Sequence, residues 1–367
     1  MKITRIEAIP YAIPYLKPLK FASGAVHIAE HILVRVHGED GLYGEAEAPP
    51  RPFTYGETQA GIKAVIEGIF APQIIGLKVL EREKVQARIN RTVGNPCAKG
   101  ALDIALWDLA GKLLNQPATT LLGGYSDRLR VSHMIGFDDP ARMVDLAQSF
   151  VEQYGITTFK VKVGRNPFQL DVGVCRALRA HFGDQVDLYI DGNRGWTASD
   201  SARALRAMED LDLLFAEELN PADDVMGRRW LVKQAKIPFF ADESVSRPAE
   251  VVRELLDGSA TAISIKTART GFTQSQRVLF LSESLGVENY IGNQIDGQLG
   301  TMASLVFGAA YQATAGRAAE LSNFLDMSDD LLTEPLQITG GEMVIRPGAG
   351  LGVTVDEDKL SRYRLDQ

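Results

Sequence analysis

From residue 131 onward the chain alternates between two patterns. Short apolar runs (VSHMIG, TTFKVKV, VDLYID, LLFAEE, IPFFAD, TAISIK, ENYIGN and AAELS) are separated by amphipathic stretches such as ARMVDLAQSFVEQYG and PAEVVRELLDG. The short runs, rich in β-branched and aromatic residues, predict buried strands, and the stretches with apolar residues three and four apart predict helices. Gly155 stands as a helix stop and Pro248 as a helix start. Eight strands with interleaved helices predict a parallel barrel over residues 126–325.

Residues 1–125 follow another pattern. Ile3–Ile13, His31–His37 and Gly41–Ala48 read as three antiparallel strands, with a hairpin turn at Gly38–Gly41. Helical stretches follow around Tyr55–Gly68, Val79–Arg91 and Ala98–Leu114, the last with an apolar stripe. This predicts an α+β capping domain. The segment 326–367, with ITGGEMVIRPGAGLGVTV, reverts to hairpin-like alternation and is expected to return to the cap.

Charged residues end the barrel strands. Lys160 and Lys162 close TFKVKVG, Asp191 closes DLYIDGN, Glu217 closes LLFAEEL, Asp242 closes IPFFADES and Lys266 closes TAISIKT. From Lys162 onward the gaps are 29, 26, 25 and 24 residues. A βα unit has about that length, so each charge marks the C-terminal end of a successive strand, where TIM-barrel chemistry resides. Three carboxylates converging there without a cation would repel one another and rise in pKa. Hard oxygen ligands with no Cys or His select Mg²⁺ or Mn²⁺. Equal spacing argues against three unrelated acids satisfied by helix N-termini. In AEEL either Glu217 or Glu218 is available as ligand, and strand alternation favours Glu217.

Lys160 and Lys162, two apart, share the barrel-facing side of their strand. Burial and neighbouring cations are expected to push their pKa down, toward general-base range. Lys266 approaches from the opposite wall. Lysines on both faces of a metal-bound carboxylate can deliver or remove a proton at the adjacent carbon, and a cation stabilises the enolate.

The KxK strand, the DGN, AEEL and ADES strand ends, and the lysine of IKTARTG resemble, in order and along the whole chain, the muconate lactonizing subgroup of the enolase superfamily. The resemblance implies a modified TIM barrel, (β/α)7β, under an N-terminal α+β capping domain completed by the C-terminal tail. It also implies a Mg²⁺ or Mn²⁺ site of Asp191, Glu217 and Asp242. Lys162 and Lys266 match the acid/base pair, and Lys160 the lysine supporting the substrate carboxylate and enolate. Asn193 matches a residue supporting the ligand site, and Glu243 the partner orienting the distal lysine. Asp296 occupies the acidic position after the seventh strand. AEELNPAD departs from the pattern, which more often has Pro directly after the acidic pair.

Within the subgroup, dipeptide epimerases resemble one another in an Asp-x-Asp on the final strand that holds an ammonium group. Here AELSNF offers Glu320 and then Ser322, which disfavours such a substrate. The cap segments KFASGAVHIAEH and AEAPPRPFTYGET resemble those of enzymes converting cis,cis-muconate to muconolactone. That implies aromatic hydrocarbon catabolism through the β-ketoadipate pathway and a homo-oligomer. Specificity is expected from the loops near Phe21–His27 and Pro50–Thr58, with Arg51 and Tyr55 as candidates for the distal carboxylate of a small dicarboxylate. N-acylamino acid racemization is the alternative reading. A non-catalytic metal-binding barrel has no need of lysines on both walls, and no His–Asp dyad follows Lys266 to support acid-sugar dehydration.

Composition narrows the partners. A formal net charge of −8 argues against nucleic acid or an anionic membrane surface. Cys97 and Cys175 are too few for a disulfide scaffold and are expected reduced and buried. MKITRIEAIPYAIPY alternates as a strand does, unlike a signal peptide, and no run approaches the ~20 apolar residues of a membrane span, so a cytoplasmic enzyme is expected. His133 reads as a packed core histidine, and His27, His31 and His37 as solvent or core positions. The glycines of GNRGW and GNQIDGQLG read as turns, because no phosphate-loop pattern is present.

Overall fold

The computed structural model describes residues 1–21, 24–256 and 258–366. The chain opens with an antiparallel sheet of β1 (Ile3–Phe21), β2 (Gly24–Gly38) and β3 (Tyr43–Ala48), in that order. β1 and β2 outrun the strands expected at Ile3–Ile13 and His31–His37, pairing as a ribbon with a register shift between Pro14 and Leu19. Most of the expected Phe21–His27 loop is therefore strand; Ala22 and Ser23 lie outside the described residues. The Gly38–Gly41 turn is as expected. Gly38 N–H donates to the Leu42 carbonyl at 2.8 Å, and Gly41 takes φ +75°, which a side chain would strain.

A short helical turn spans Pro52–Tyr55, and the first expected helix, from about Tyr55, starts later, at Gln59, where the Thr58 hydroxyl accepts the Gly61 N–H and caps it. It then runs through a π turn at Ile66–Phe70 to Ile74. The second spans Arg82–Ile89. The third, Pro96–Leu114, differs from the expected striped helix: from Cys97 to Gly111 every residue but Lys99 is buried. A helix apolar all round is one covered all round. β3 lies close on one side, where a Cβ on Gly44 would meet the Ala105 carbonyl at 2.0 Å. The Thr267–Ser284 helix lies on the other, where a Cβ on Gly100 would meet the Ala268 carbonyl at 2.5 Å.

The eight expected barrel strands are all present. They are β4 (Arg128–Ile135), β5 (Thr158–Lys162), β6 (Asp187–Asp191), β7 (Leu213–Glu217), β8 (Phe239–Ala241), β9 (Ala262–Ile265), β10 (Glu288–Ile291) and β11 (Ala319–Glu320). All pair in parallel, β11 beside β4 and then consecutively to β10, which makes a nearly closed barrel of modified TIM type. Inside it, Tyr189, Phe215, Phe240 and Tyr290 pack as one cluster, the Phe215 ring 4.3 Å from Phe240 and 4.9 Å from Tyr290 between centroids. Tyr189, Phe215 and Phe240 precede Asp191, Glu217 and Asp242 by two positions. Strand periodicity thus stacks the charged layer directly above an aromatic floor.

The tail divides instead of returning wholly to the cap. β12 (Glu342–Val344) pairs antiparallel with Arg128–Arg130 of β4, on the barrel. The Glu357–Tyr363 helix reaches the cap, where Glu357 meets Arg35 at 2.6 Å and Arg364 bridges Tyr11. Among the described residues no helix is long and apolar enough to cross a membrane.

Candidate active site

The charged side chains meet at the C-terminal mouth of the barrel. Lys160 Nζ lies 2.5 Å from Glu320 Oε1, 2.8 Å from Glu217 Oε2 and 3.2 Å from Asp191 Oδ2. Lys162 Nζ donates at 2.6 Å to both Asp191 Oδ2 and Asn193 Oδ1. On the far wall Lys266 Nζ pairs with Asp242 Oδ2, while Arg269 Nη1 donates to Asp242 Oδ1 at 2.8 Å and to Tyr55 Oη at 2.5 Å.

This arrangement corrects the expected lysine chemistry for Lys160. Burial alone would lower its pKa, but Glu217, Glu320 and Asp191 together drive it well above the ordinary lysine value. Lys266 is raised likewise: burial would lower it, but Asp242, Tyr55 and Glu217 together outweigh that. Both are held as ammonium ions. The carboxylates respond unequally. Burial would raise Asp191, yet Lys162 and Lys160 hold it at about 2. Glu217 is pushed well above its ordinary range by burial and by Asp191.

The three acids sit beneath a narrow cavity of about 90 Å³, whose wall includes Lys160, Lys162, Lys266, Asn193, Glu243 and Glu320, with Arg51 and Tyr55 from the cap. Asp296 does not reach it. It is buried beside Glu47 on the cap side, its carboxyl raised to about 8 by burial and by Glu47. Glu243 also departs from expectation. Lys266 bonds Asp242, whereas Glu243 Oε1 accepts from Asn193 Nδ2 at 3.2 Å and lies 3.7 Å from Arg194 Nε. The choice within AEEL is clear in space: Glu217 faces the mouth, and Glu218 turns away at φ +39° onto Arg228 and Ser244.

Four residues that the sequence reading missed shape the site. Arg194 lines the cavity at φ +67°, directly after Asn193 at φ +39°. Ile295 lines it at φ +64°, an uncommon state for a β-branched residue. Asn293 Oδ1 supports that turn by accepting the N–H groups of Ile295 and Asp296. Such strained positions cluster where function over-determines the backbone. Arg269 had a signal, three residues past Lys266 in IKTARTG; Arg194 had one only in following DGN.

His133 is a packed core residue as read, stacked on Phe150 at 3.5 Å with Nδ1 2.9 Å from Ser322 Oγ. His31 is also core, its Nδ1 3.0 Å from Glu47 Oε1. Cys97 and Cys175 are free and buried.

Members of the superfamily generally use a divalent metal. Among the described residues no three carboxylates, histidines or cysteines converge as a ready metal site, since each acid is drawn onto an ammonium or guanidinium group. The donor set nonetheless fits a hard cation. Glu217 is fully buried, its Oε1 has no partner among the described residues, and its raised pKa reports uncompensated negative charge.

Residues 5–123 match the mandelate racemase / muconate lactonizing enzyme N-terminal domain, and residues 142–359 the enolase C-terminal domain-like family. The fold superposes on the muconate lactonizing enzyme from Mucobacterium Smegmatis complexed with muconolactone, with a TM-score of 0.98 and 64% identity over 100% of both chains. Muconate cycloisomerase 1 of Pseudomonas putida is 31% identical over 98% of each chain. L-Ala-D/L-Glu epimerase of Bacillus subtilis is 32% identical over 84% of this chain and 86% of its own. The chain belongs to the mandelate racemase / muconate lactonizing enzyme family, in the muconate lactonizing subgroup of the enolase superfamily.

Proposed function

We propose that this chain is a muconate cycloisomerase that converts cis,cis-muconate to muconolactone. The observation that carries the reading is the pair of lysines on opposite barrel walls above three buried carboxylates, in a chain so similar to an enzyme complexed with muconolactone. Mg²⁺ or Mn²⁺, held by Asp191, Glu217 and Asp242, would supply positive charge to the near carboxylate of the substrate as it takes on enolate character. Lys160 donates hydrogen bonds to that carboxylate. Arg51 and Arg194, at the cavity wall, orient the far carboxylate, which adds across the conjugated double bond to close the ring. Lys266, held as an ammonium ion by Asp242, then gives its proton to the carbon beside the near carboxylate, an anti addition. Lys162, tied to both Asp191 and Asn193, is the donor that syn addition would require.

The alternative is a 1,1-proton transfer, such as racemization of an N-acylated amino acid, which would use both lysines in one turnover. The final strand argues against the dipeptide form of that chemistry. Ser322 Oγ is engaged by Ser132 and His133, and Glu320 is engaged by Lys160, Tyr189 and Asn293, so no second acid faces the cavity from this strand to hold an ammonium group. The test is loss of muconate ultraviolet absorbance with purified protein, in Mn²⁺ and in EDTA. Metal-dependent loss yielding muconolactone is expected. No loss with metal present, alongside α-deuterium exchange into N-succinyl amino acids, would transfer the assignment to racemization.

A further inference from the structure

Away from the catalytic cavity, residues 90–96 of the cap face the start of the Pro248–Leu256 barrel helix across a cleft of about 650 Å³. Small-molecule sites have this size. Lys99, Arg247 and Arg269 line it against one carboxylate, Glu250. That carboxylate is already engaged, accepting from Arg247 Nε, Arg247 Nη2 and the Ser246 N–H. Lys99 Nζ donates to the Thr92 carbonyl and, among the described residues, has no carboxylate within ion-pair distance. Its pKa is lowered by burial and by Arg247, against the opposing pull of Glu57.

Arg269 adds an independent observation. Its side chain is fully buried, and both terminal nitrogens are engaged on the catalytic side, by Tyr55 Oη, Asp242 and the Ser264 carbonyl. Its Nε–H has no partner among the described residues. Val93, 93% exposed, stands with Pro248 on the wall, so an apolar body would be covered as well.

We propose that this cleft is a second ligand site for a small organic carboxylate. Lys99 and Arg247 neutralise the anion. Occupancy reaches the catalytic cavity through Arg269, which borders the cleft and holds Tyr55 and Asp242.

Calorimetric titration of the metal-loaded protein with benzoate tests this, with benzamide as its uncharged counterpart and inorganic phosphate as an ion lacking an apolar body. Saturable benzoate binding is expected, weakened at least tenfold by Lys99→Met and by Arg247→Met, with benzamide and phosphate far weaker. Both variants should keep their turnover without benzoate, because neither side chain lines the catalytic cavity. In the unaltered protein benzoate should shift KM or kcat at least twofold, and in Lys99→Met it should not. Benzoate binding that both variants leave unchanged, equal binding of benzamide or phosphate, or no saturable heat would each overturn the proposal. If Lys99→Met fails to fold, Arg247→Met, at an exposed position, still decides. The titration needs no muconate turnover, so its result stands apart from the cycloisomerase assignment.

Discussion

Glu218 Oε1 accepts the backbone N–H of Asp242 at 2.8 Å, so a residue next to one candidate metal ligand fixes the strand end carrying another. The same oxygen takes the Ser244 N–H at 3.1 Å and its hydroxyl at 2.5 Å, and Oε2 pairs with the buried Arg228 at 2.6 Å. Of one acidic pair, Glu217 thus meets Lys160 at the mouth and Glu218 braces the scaffold.

Replacing Glu218 with Ala is expected to lower stability by about 3–5 kcal/mol, because it takes one of two carboxylates from the buried Arg228 guanidinium, leaving Glu254 and the Ser244 hydroxyl. Glu218→Gln should lose less, since its amide oxygen still accepts the Asp242 N–H. Urea midpoints of the three proteins measure this. An Ala variant within about 1 kcal/mol of the parent, a shift typical of ordinary surface changes, would remove the clamp from the account.

Gly100 couples the cap to the catalytic wall. A Cβ there meets the Ala268 carbonyl at 2.5 Å and the Arg269 carbonyl carbon at 3.2 Å, in the segment just after Lys266. Gly100→Ala is expected to cost roughly 1–3 kcal/mol through overpacking. Its activity should fall further than the folded fraction does, because the helix start carrying Arg269 must shift. Activity that simply tracks the folded fraction would show that the two domains do not share this geometry.

The charged layer of the barrel was legible because five successive strands, β5 to β9, are short apolar runs that end in charge, and the charge spacing is that of a βα unit. Glu217 was favoured over Glu218 by alternation alone. What escaped depends on contacts distant in sequence. The Pro96–Leu114 helix was read as striped, yet β3 and the Thr267–Ser284 helix cover opposite sides of it, which no local window reports. Lys160 was expected to lose its proton readily because its three carboxylate neighbours lie on other strands. Glu243 was paired with Lys266 by analogy of position, whereas the side chain turns to Asn193. Arg194 and Ile295 carry left-handed backbone that nothing in their residue types announces.

The two lysines should separate under mutation. Lys266→Ala is expected to lose about 10²–10⁴-fold in kcat, the usual worth of a general acid. Lys162→Ala should lose less and still place solvent deuterium on the anti face of muconolactone. Deuterium on the syn face in the unaltered enzyme, or near-normal turnover without Lys266, would exchange the two roles.

His133 predicts an acid-side weakness. Burial holds its pKa at about 3, against 6.5 for the free side chain. Between those values the unfolded chain binds a proton that the folded one refuses, so stability falls as pH falls from about 6.5 toward 3. The slope from this one group is at most about 1.4 kcal/mol per pH unit. His133→Gln should therefore show a flatter loss of urea midpoint between pH 7 and pH 5 than the parent, whatever it costs at neutral pH. Parallel curves for the two proteins would mean the histidine is not buried neutral.

Arg194 stands 3.7 Å from Glu243 at the cavity wall, one residue past the amide that holds Lys162. If it grips the far carboxylate, Arg194→Met removes a charged hydrogen bond worth about 1.5–3 kcal/mol, or roughly 10–100-fold in kcat/KM. The loss should appear in KM with the dicarboxylate. It should shrink to within a few fold for the analogue with a far carboxamide, read as a competitive inhibitor because the ring-closing carboxylate is gone, since the parent enzyme then has no charge there to hold either. Arg51→Met should behave in the same way if the two arginines share that group. An equal loss with diacid and half-amide would instead make Arg194 a support for the Asn193–Lys162 contact, felt whichever substrate occupies the site.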